Sequence, residues 1–315
     1  MSKQILSCDW GTSTFRLRLI KLSDGSVQAE TNDDKGIAVI YNEWLQLGLP
    51  EIERAGYYKR YLLVQIEKFK KYSLTGVPVI ISGMASSSIG IIDIPYGTVP
   101  FLIGEARLNV YKICPEEKYP FEIFIISGLK TTDDVMRGEE TILTGCDIEN
   151  IYGQQLFIFP GTHSKHVVVQ NCIAKDFKTY MTGEIFDLLT RQSILSKSAE
   201  QNDDLLRSDD LFVRGVHEAT NSNLLNSIFH IRTRHLFGEV TKSENYHYLS
   251  GLLIGEELKS IDLTNFESVT LVSTGLLSSR YSTALSELGF GDKLRQQDSI
   301  NTFIEGQIRI YAHYH

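Results

Sequence analysis

Two stretches of this chain are built on one plan, and any fold must accommodate both. In the first, Ile5-Leu6-Ser7-Cys8 leads to Asp9, Trp10 and Gly11, turns through Thr12, Ser13 and Thr14, and continues as Phe15-Arg16-Leu17-Arg18-Leu19-Ile20. In the second, Leu156-Phe157-Ile158-Phe159 runs through Pro160-Gly161-Thr162-His163-Ser164-Lys165-His166 into Val167-Val168-Val169. Either stretch alone also reads as an ordinary β-hairpin with a polar turn. Together they predict two structurally related halves, each offering a turn to one phosphate chain. Glycine lets backbone N–H groups approach an anion closely, and the hydroxyls of Thr12, Ser13 and Thr14 add donors. Asp9 would repel a bare phosphate but can hold a hydrated Mg²⁺ beside it, so it reads as a metal positioner.

Composition narrows the classes. A chain of 315 residues can bury two cores of ordinary size. With 42% hydrophobic and 22% charged residues it is expected to fold as a soluble globular protein. A net charge of −8 argues against nucleic acid as a partner, because such proteins carry a basic face. No apolar run approaches the roughly 20 residues that span a bilayer, and the N-terminus enters Gln4-Ile5-Leu6 without a signal-peptide pattern. No membrane partner and a cytoplasmic location are therefore expected. Cys8, Cys114, Cys146 and Cys172 are scattered, which predicts reduced thiols and neither a disulfide framework nor a metal pair.

Along the chain, Phe15, Leu17 and Leu19 face one way and Arg16 and Arg18 the other. Ser23 to Ser26 supply a tight turn to a partner strand at Val27 to Thr31. Residues 51–72 have helical spacing with a solvated basic face. Val77 to Ser82 is a strand whose following loop, Gly83-Met84-Ala85-Ser86-Ser87-Ser88, is placed to line a ligand crevice, with Tyr96 to Pro100 on the same side. Phe121 to Ser127 is the next buried strand. From Asp133 to Leu143 four acids and Arg137 crowd the start of an expected helix. They either complement its dipole, or one acid orients an attacking hydroxyl while Arg137 meets an anionic substrate. His163 and His166 fall on opposite faces of extended chain, so zinc is rejected. Residues 177–260 read as mostly helical, with Gly251 and Gly255 marking close packing and a solvated acidic loop over 202–210. Val269 to Ser273 is a strand, Thr274-Gly275 a junction suited to a nucleotide or to a plain βα turn, and 276–288 a helix. Asp298-Ser299 can cap a last helix through about Tyr311.

Strand-Asp-x-Gly-Thr, a linking segment with acids, a second Gly-Thr turn and a late strand-Gly-helix occur in the order seen in the actin, sugar kinase and heat-shock chaperone ATPase superfamily. More narrowly, the sequence resembles the 2-dehydro-3-deoxygalactonokinase family. The resemblance is carried by Asp9-Trp10-Gly11-Thr12-Ser13 with Arg16, by Asp134-Val135-Met136-Arg137-Gly138-Glu139-Glu140-Thr141, and by Pro160 to Lys165. Met181 to Phe186, Leu249 to Gly255, and Gly275 with Tyr281 extend it over nearly the whole chain. It implies an α/β fold of two related ribonuclease H-like, actin-like ATPase domains around an interdomain nucleotide cleft, with expected bounds 1–146 and 147–297 and a C-terminal helix about 298–315 packing back on the first.

The implied activity is Mg²⁺-dependent transfer of a phosphoryl group from ATP to the terminal hydroxyl of a 2-keto-3-deoxy sugar acid, 2-dehydro-3-deoxy-D-galactonate. The alternatives are a kinase of another small sugar or sugar acid and a non-catalytic nucleotide-binding relative. A homo-oligomer is compatible with this class. On this reading Asp9 positions the metal. Gly11, Thr12, Ser13, Gly161, Thr162 and Ser164 bind phosphates, and Gly275 binds the nucleotide. Asp134 is the first choice for the group accepting the hydroxyl proton and Glu139 the second. Arg16, Ser82, Gly83, Met84, Ser87 and Arg137 contact substrate, Arg137 through its carboxylate. Where the family tends to place an Arg-Gln pair after Gly83-Met84, this chain has Ser88-Ile89.

Overall fold

The computed structural model describes residues 3–149, 152–201 and 208–314. They fall into two compact units, one drawn from Met1–Glu149, Cys172–Lys175 and Ser299–His315, the other from Asn150–Asn171 and Asp176–Asp298. The acidic loop expected over 202–210 lies, for 202–207, outside the described residues.

In the first unit the expected hairpin is β1 (Gln4–Trp10) and β2 (Phe15–Lys21), extended by β3 (Val27–Asp33). Two helices follow, α1 (Ile37–Gln46) and α2 (Arg54–Glu67), then the buried β4 (Val79–Gly83). The short strands β5 (Gly97–Thr98) and β6 (Phe101–Leu102) precede β7 (Val110–Ile113) and β8 (Ile123–Ile126). Another short pair, β9 (Leu129–Lys130) and β10 (Val135–Met136), leads into α3 (Glu139–Gly145). The main sheet has the order β3-β2-β1-β4-β8-β7, with β1 antiparallel to β2 and parallel to β4. Leu6, Cys8, Trp10, Phe15 and Leu17 join Ile37, Ile40, Tyr58, Leu62 and Ile66 of α1 and α2 in one core, as the period-2 pattern requires. The opposite face meets α9 (Ser299–His313), where Phe124 and Tyr311 stack edge to face with 5.4 Å between centroids. There Gln307 Nε2 donates to the carbonyls of Cys8 (3.1 Å) and Ile80 (3.2 Å).

The helix expected from Asp133 starts only at Glu139. Asp133 and Asp134 sit in the turn joining β9 to β10, where the Thr131 N–H donates to the Asp134 carbonyl (2.9 Å) and the Asp134 carboxylate accepts from the Val135 N–H (2.7 Å). Asp side chains that bond neighbouring N–H groups favour such turns over helix. Gly138, at φ 111°, then sets the chain direction for α3.

The second unit holds β11 (Gln155–Phe159), β12 (Ser164–Gln170) and the greater part of β13 (Ile173–Tyr180). Its helices are α4 (Thr182–Gln192), α5 (Ser208–Asn221), α6 (Leu224–Leu236) and α7 (Lys242–Leu258). It closes with β14 (Ser268–Val272), α8 (Gly275–Glu287) and β15 (Leu294–Gln297). The segment expected to be helical from 177 therefore begins in a strand that runs to Tyr180. The order β13-β12-β11-β14-β15 repeats β3-β2-β1-β4-β8 of the first unit, and again the first strand is antiparallel to the second and parallel to the fourth. Gly251 packs as expected, since a Cβ there would lie 1.9 Å from the Phe212 carbonyl of α5.

The repeat extends to a detail absent from the sequence reading. In the first unit the N–H groups of Ile37 and Ala38, at the start of α1, donate to the carbonyls of Gly11 (2.9 Å) and Thr12 (3.1 Å). In the second, the N–H of Glu184 in the first turn of α4 donates to the Thr162 carbonyl (3.0 Å). Each contact needs a glycine: a Cβ on Gly36 would stand 2.3 Å from Thr12 O, and one on Gly183 2.5 Å from Gly161 O. Gly36→Ala and Gly183→Ala should each destabilise by about 1–3 kcal/mol, as overpacking does. Gly104→Ala, with nothing within 4 Å of the added atom, should stay within about 0.5 kcal/mol. Urea unfolding midpoints check this, and equal losses at Gly36 and Gly104 would contradict it.

Candidate active site

In the first unit the candidate residues gather at the carboxyl end of β1 and β4. Register pairs Asp9 with Ser82 and Trp10 with Gly83, so Asp9 leaves the sheet on the face that carries Ser82. Ser82 is buried, with its Oγ bonded to Thr141 Oγ1 (3.0 Å) of α3 and to Gln307 Nε2 (3.0 Å). The start of α3 is thereby fixed beside the end of β1. A Cβ on Gly138 would lie 3.7 Å from the Gly83 Cα, which makes the approach explicit.

Asp9 keeps about a third of its side chain exposed, and among the described residues its ion-pair partner is Arg16, at 3.7 Å. Arg18, on the same face of β2, is committed elsewhere, to Glu30 at 2.6 Å. Desolvation pushes the Asp9 carboxyl above its ordinary range, and Arg16 and Arg18 only partly oppose this. An under-compensated carboxylate next to hydroxyl residues suits a cation that binds through one carboxylate, water and phosphate oxygens, which is how Mg²⁺ is usually held. The donor set therefore fits the metal. In the adjoining turn Gly11 N–H donates to the Thr14 carbonyl (2.9 Å), while the N–H groups of the exposed Thr12 and Ser13 have no backbone acceptor among the described residues.

Arg137 is held in place. Its Nη1 donates to the carbonyl and Oγ of the buried Ser86, and its guanidinium lies over the Tyr96 ring at 4.2 Å. Tyr96 borders a recess of about 410 Å³ that also exposes Thr98, Arg107 and Asn109. Glu139 accepts from the Arg137 N–H (3.0 Å) and remains partly accessible. Met84 is half-buried, and Ser87 is buried with its hydroxyl donating to the Met84 carbonyl (2.7 Å). Ser82 and Ser87, expected to line a substrate pocket, are thus interior groups. Asp134 belongs to the β9–β10 turn.

Glu140 was not singled out by sequence reasoning, although the Glu-Glu pair signals it. It has no exposed surface, accepts from the Gly138 N–H with both oxygens (2.9 and 2.7 Å), and is reached by Thr141 Oγ1 (3.2 Å). Burial, and after it the neighbouring Glu139 charge, push its pKa up to about 8, against the Gly138 and Thr141 bonds.

In the second unit Gly161 and Thr162 form the matching turn, with Thr162 exposed. Ser164 does not share that exposure: it is buried, accepts from the Gly161 N–H (3.4 Å) and bonds the Tyr281 hydroxyl (2.9 Å). His163 pairs with Glu184, and His166 with Glu257 at 2.8 Å. The two histidines thus go to different acids, and no metal-binding cluster of His, Cys, Asp or Glu occurs among the described residues. Beside the turn opens a recess of about 140 Å³ with the apolar walls Phe186, Tyr246, Leu253 and Leu276. Gly275, the exposed first residue of α8, immediately precedes its Leu276.

A family profile described as 2-keto-3-deoxy-galactonokinase matches residues 9–310. A relative from Rhizobium meliloti (strain 1021), named as a probable 2-dehydro-3-deoxygalactonokinase, is 30% identical over 289 residues, 89% of this chain and 88% of its own. The 2-dehydro-3-deoxygalactonokinase of Escherichia coli (strain K12) is 33% identical over 222 residues, 67% of this chain and 71% of its own. A solved structure from Sinorhizobium meliloti, named for the same kinase, superposes with a TM-score of 0.81 at 29% identity, covering 98% of this chain and 95% of that one. Component A of the (R)-2-hydroxyglutaryl-CoA dehydratase of Acidaminococcus fermentans, at TM-score 0.50 and 12% identity over 99% of this chain and 98% of that one, shares the fold alone. The architecture is the actin-like ATPase fold that the sequence predicts.

A carboxyl that keeps its proton in the folded state makes stability fall as pH rises. The folded pKa of Glu140 is about 8, while an unfolded glutamate titrates near about 4.3. Between those values the unfolded chain ionises first, so its share of stability is lost over that window. Glu140→Gln, which mimics the protonated acid, should raise the melting temperature relative to the parent more at pH 8.5 than at pH 5. A difference independent of pH would contradict the assignment.

Proposed function

Given that the chain belongs to the 2-keto-3-deoxy-galactonokinase family, and is a sugar-acid kinase, we propose that it transfers the terminal phosphoryl group of ATP to the terminal hydroxyl of 2-dehydro-3-deoxy-D-galactonate, giving the 6-phosphate and ADP. The observation that carries the assignment of residues is the junction of β1, β4 and α3, where Asp9 and Glu139 emerge from elements locked together through Ser82 and Thr141.

In this reading Asp9 holds Mg²⁺. The metal, when bound, neutralises charge on the phosphate oxygens. The N–H groups and hydroxyls of the exposed Thr12 and Ser13, with Gly11, take phosphate oxygens, as do Gly161 and Thr162 of the second turn. Gly275 and the apolar recess beyond it take the nucleotide, flat Phe186 and Tyr246 offering faces for a base.

Glu139 rather than Asp134 accepts the proton of the attacking hydroxyl. Its support is position: it is the first residue of the helix fastened to the β1–β4 end, whereas the Asp134 carboxylate is engaged by Val135 N–H in the β9–β10 turn. Arg137, already fixed by Ser86 and Tyr96, presents a preorganised cation to the substrate carboxylate, and Arg16 a second one near Asp9. Gly83 and Met84 border the same end of β4. Positioning and charge stabilisation supply most of the rate in such a transfer. The setting is cytoplasmic, in keeping with four free thiols.

ADP release with Mg·ATP, over a panel of 2-keto-3-deoxy-aldonates, neutral 2-keto-3-deoxy sugars and hexoses, should peak with the galactonate derivative. Glu139→Gln should lower kcat by about 10²-fold or more, the usual contribution of a general base. Asp134→Asn should leave it nearly unchanged, and the reverse ranking would return the role to Asp134. Asp9→Asn should abolish the response of the rate to added Mg²⁺ while the protein stays folded.

A further inference from the structure

We propose that Glu257 is a positioning residue for the nucleotide, its buried carboxylate holding the Gly161–Thr162 turn and the adjoining recess in their binding shape. This rests on the nucleotide-binding reading of that turn and recess.

Glu257 sits on α7 with 3% of its surface exposed. Three donors from three other elements converge on it: His166 Nε2 of β12 (2.8 Å), Tyr281 OH of α8 (2.6 Å) and Thr182 Oγ1, the first residue of α4. Tyr281 passes the connection on to Ser164 Oγ (2.9 Å), which in turn meets the Gly161 N–H. Gly161, Thr182 and Tyr281 all line the recess beside the turn. One carboxylate thus ties together the strand, the start of α4, the middle of α8 and the turn that surround the proposed nucleotide site.

The two turns differ in how they are closed, and the difference makes Glu257 necessary. The first is closed by a backbone bond, Gly11 N–H to Thr14 O at 2.9 Å. In the second, Gly161 N–H has no backbone acceptor among the described residues and reaches a side chain, Ser164 Oγ, at 3.4 Å. That hydroxyl is fixed by Tyr281, and Tyr281 by Glu257. Shape that the first turn owes to its own backbone, the second owes to a side-chain network.

The chemistry also requires a carboxylate. Its two oxygens are acceptors only, so all three donors can be satisfied at once. A glutamine of the same size presents an NH₂ group to at least one of them, and an apolar residue leaves three buried groups without an acceptor. Thr182 starts the helix whose Gly183 packs on the Gly161 carbonyl, so a displaced Thr182 would move the turn as well.

The test is calorimetric titration of Mg·ADP into the full-length parent, Glu257→Gln and Tyr281→Phe, alongside steady-state kinetics. Glu257→Gln should raise the Kd for ADP and the KM for ATP by about tenfold or more, the scale of one lost hydrogen bond to a charged group. KM for the sugar acid should stay within about threefold, the split expected when only nucleotide binding is disturbed. Tyr281→Phe should shift the same two constants in the same direction by less. A variant that melts earlier yet binds ADP as the parent does would reduce Glu257 to a structural residue and overturn the proposal. If Glu257→Gln does not fold, Tyr281→Phe decides alone, and an unchanged Kd there overturns it. A parent protein that binds no ADP would instead remove the nucleotide reading itself.

Discussion

A turn that offers its amides to an anion must still place its carbonyls, and it must do so without a side chain coming between. Here the carbonyls of Gly11, Thr12 and Thr162 accept from the first N–H groups of α1 and α4, donors that a helix start leaves without intrahelical partners. Two needs are met by one contact: the helix start gains acceptors, and the turn is pinned with its own N–H groups outward. The approach is so close that only Gly36 and Gly183 permit it. In the first unit α1 and α2 then bury Ile37, Ile40, Tyr58 and Leu62 against the same strands that carry the turn, so core packing and turn geometry reinforce one another.

Two buried glutamates show how differently one functional group can be used. Glu140 faces the backbone N–H groups of Gly138 and of its own residue and one hydroxyl, beside another acid, and burial drives it to keep its proton. Glu257 faces an imidazole, a phenol and a threonine hydroxyl, and it is the phenol of Tyr281 that burial and the neighbouring carboxylate push upward, so it remains a donor. The first arrangement makes a neutral carboxyl that secures the start of α3. The second makes an acceptor around which three elements are organised.

Much of this was legible because turn chemistry is local. Asp9, Gly11 and the hydroxyl run, and Gly161-Thr162, announce themselves within a few residues, and alternation in Phe15 to Leu19 sets the sheet face. The duplicated strand order followed from that repeat. What stayed hidden depends on distant partners: Ser82, which reads as a substrate contact, is claimed by Thr141, 59 residues away, and Ser164, which reads as a phosphate contact, by Tyr281, 117 residues away, and both are interior. Asp133 and Asp134 misled for another reason, since acids before a helix and acids in a turn look alike until the N–H groups they accept from are known. The packing roles of Gly36 and Gly183 gave no sign, because a glycine required by an approaching carbonyl is indistinguishable in sequence from one required by a turn.

Arg137 is held in place by the fold itself. A flexible arginine loses side-chain entropy when it captures an anion. Here that loss is already incurred by the fold, through Ser86 on one side and the Tyr96 ring on the other. Its own N–H meanwhile meets Glu139, so the cation proposed for the substrate carboxylate and the acid proposed for its hydroxyl are two residues apart on one tightly fastened segment. Because that segment is anchored through Thr141 and Ser82 to the strand beside Asp9, a shift that misplaces one of these groups would misplace all three. Preorganisation in this unit is therefore a property of the β1–β4–α3 junction as a whole, and the reaction assigned to it needs little more than such positioning.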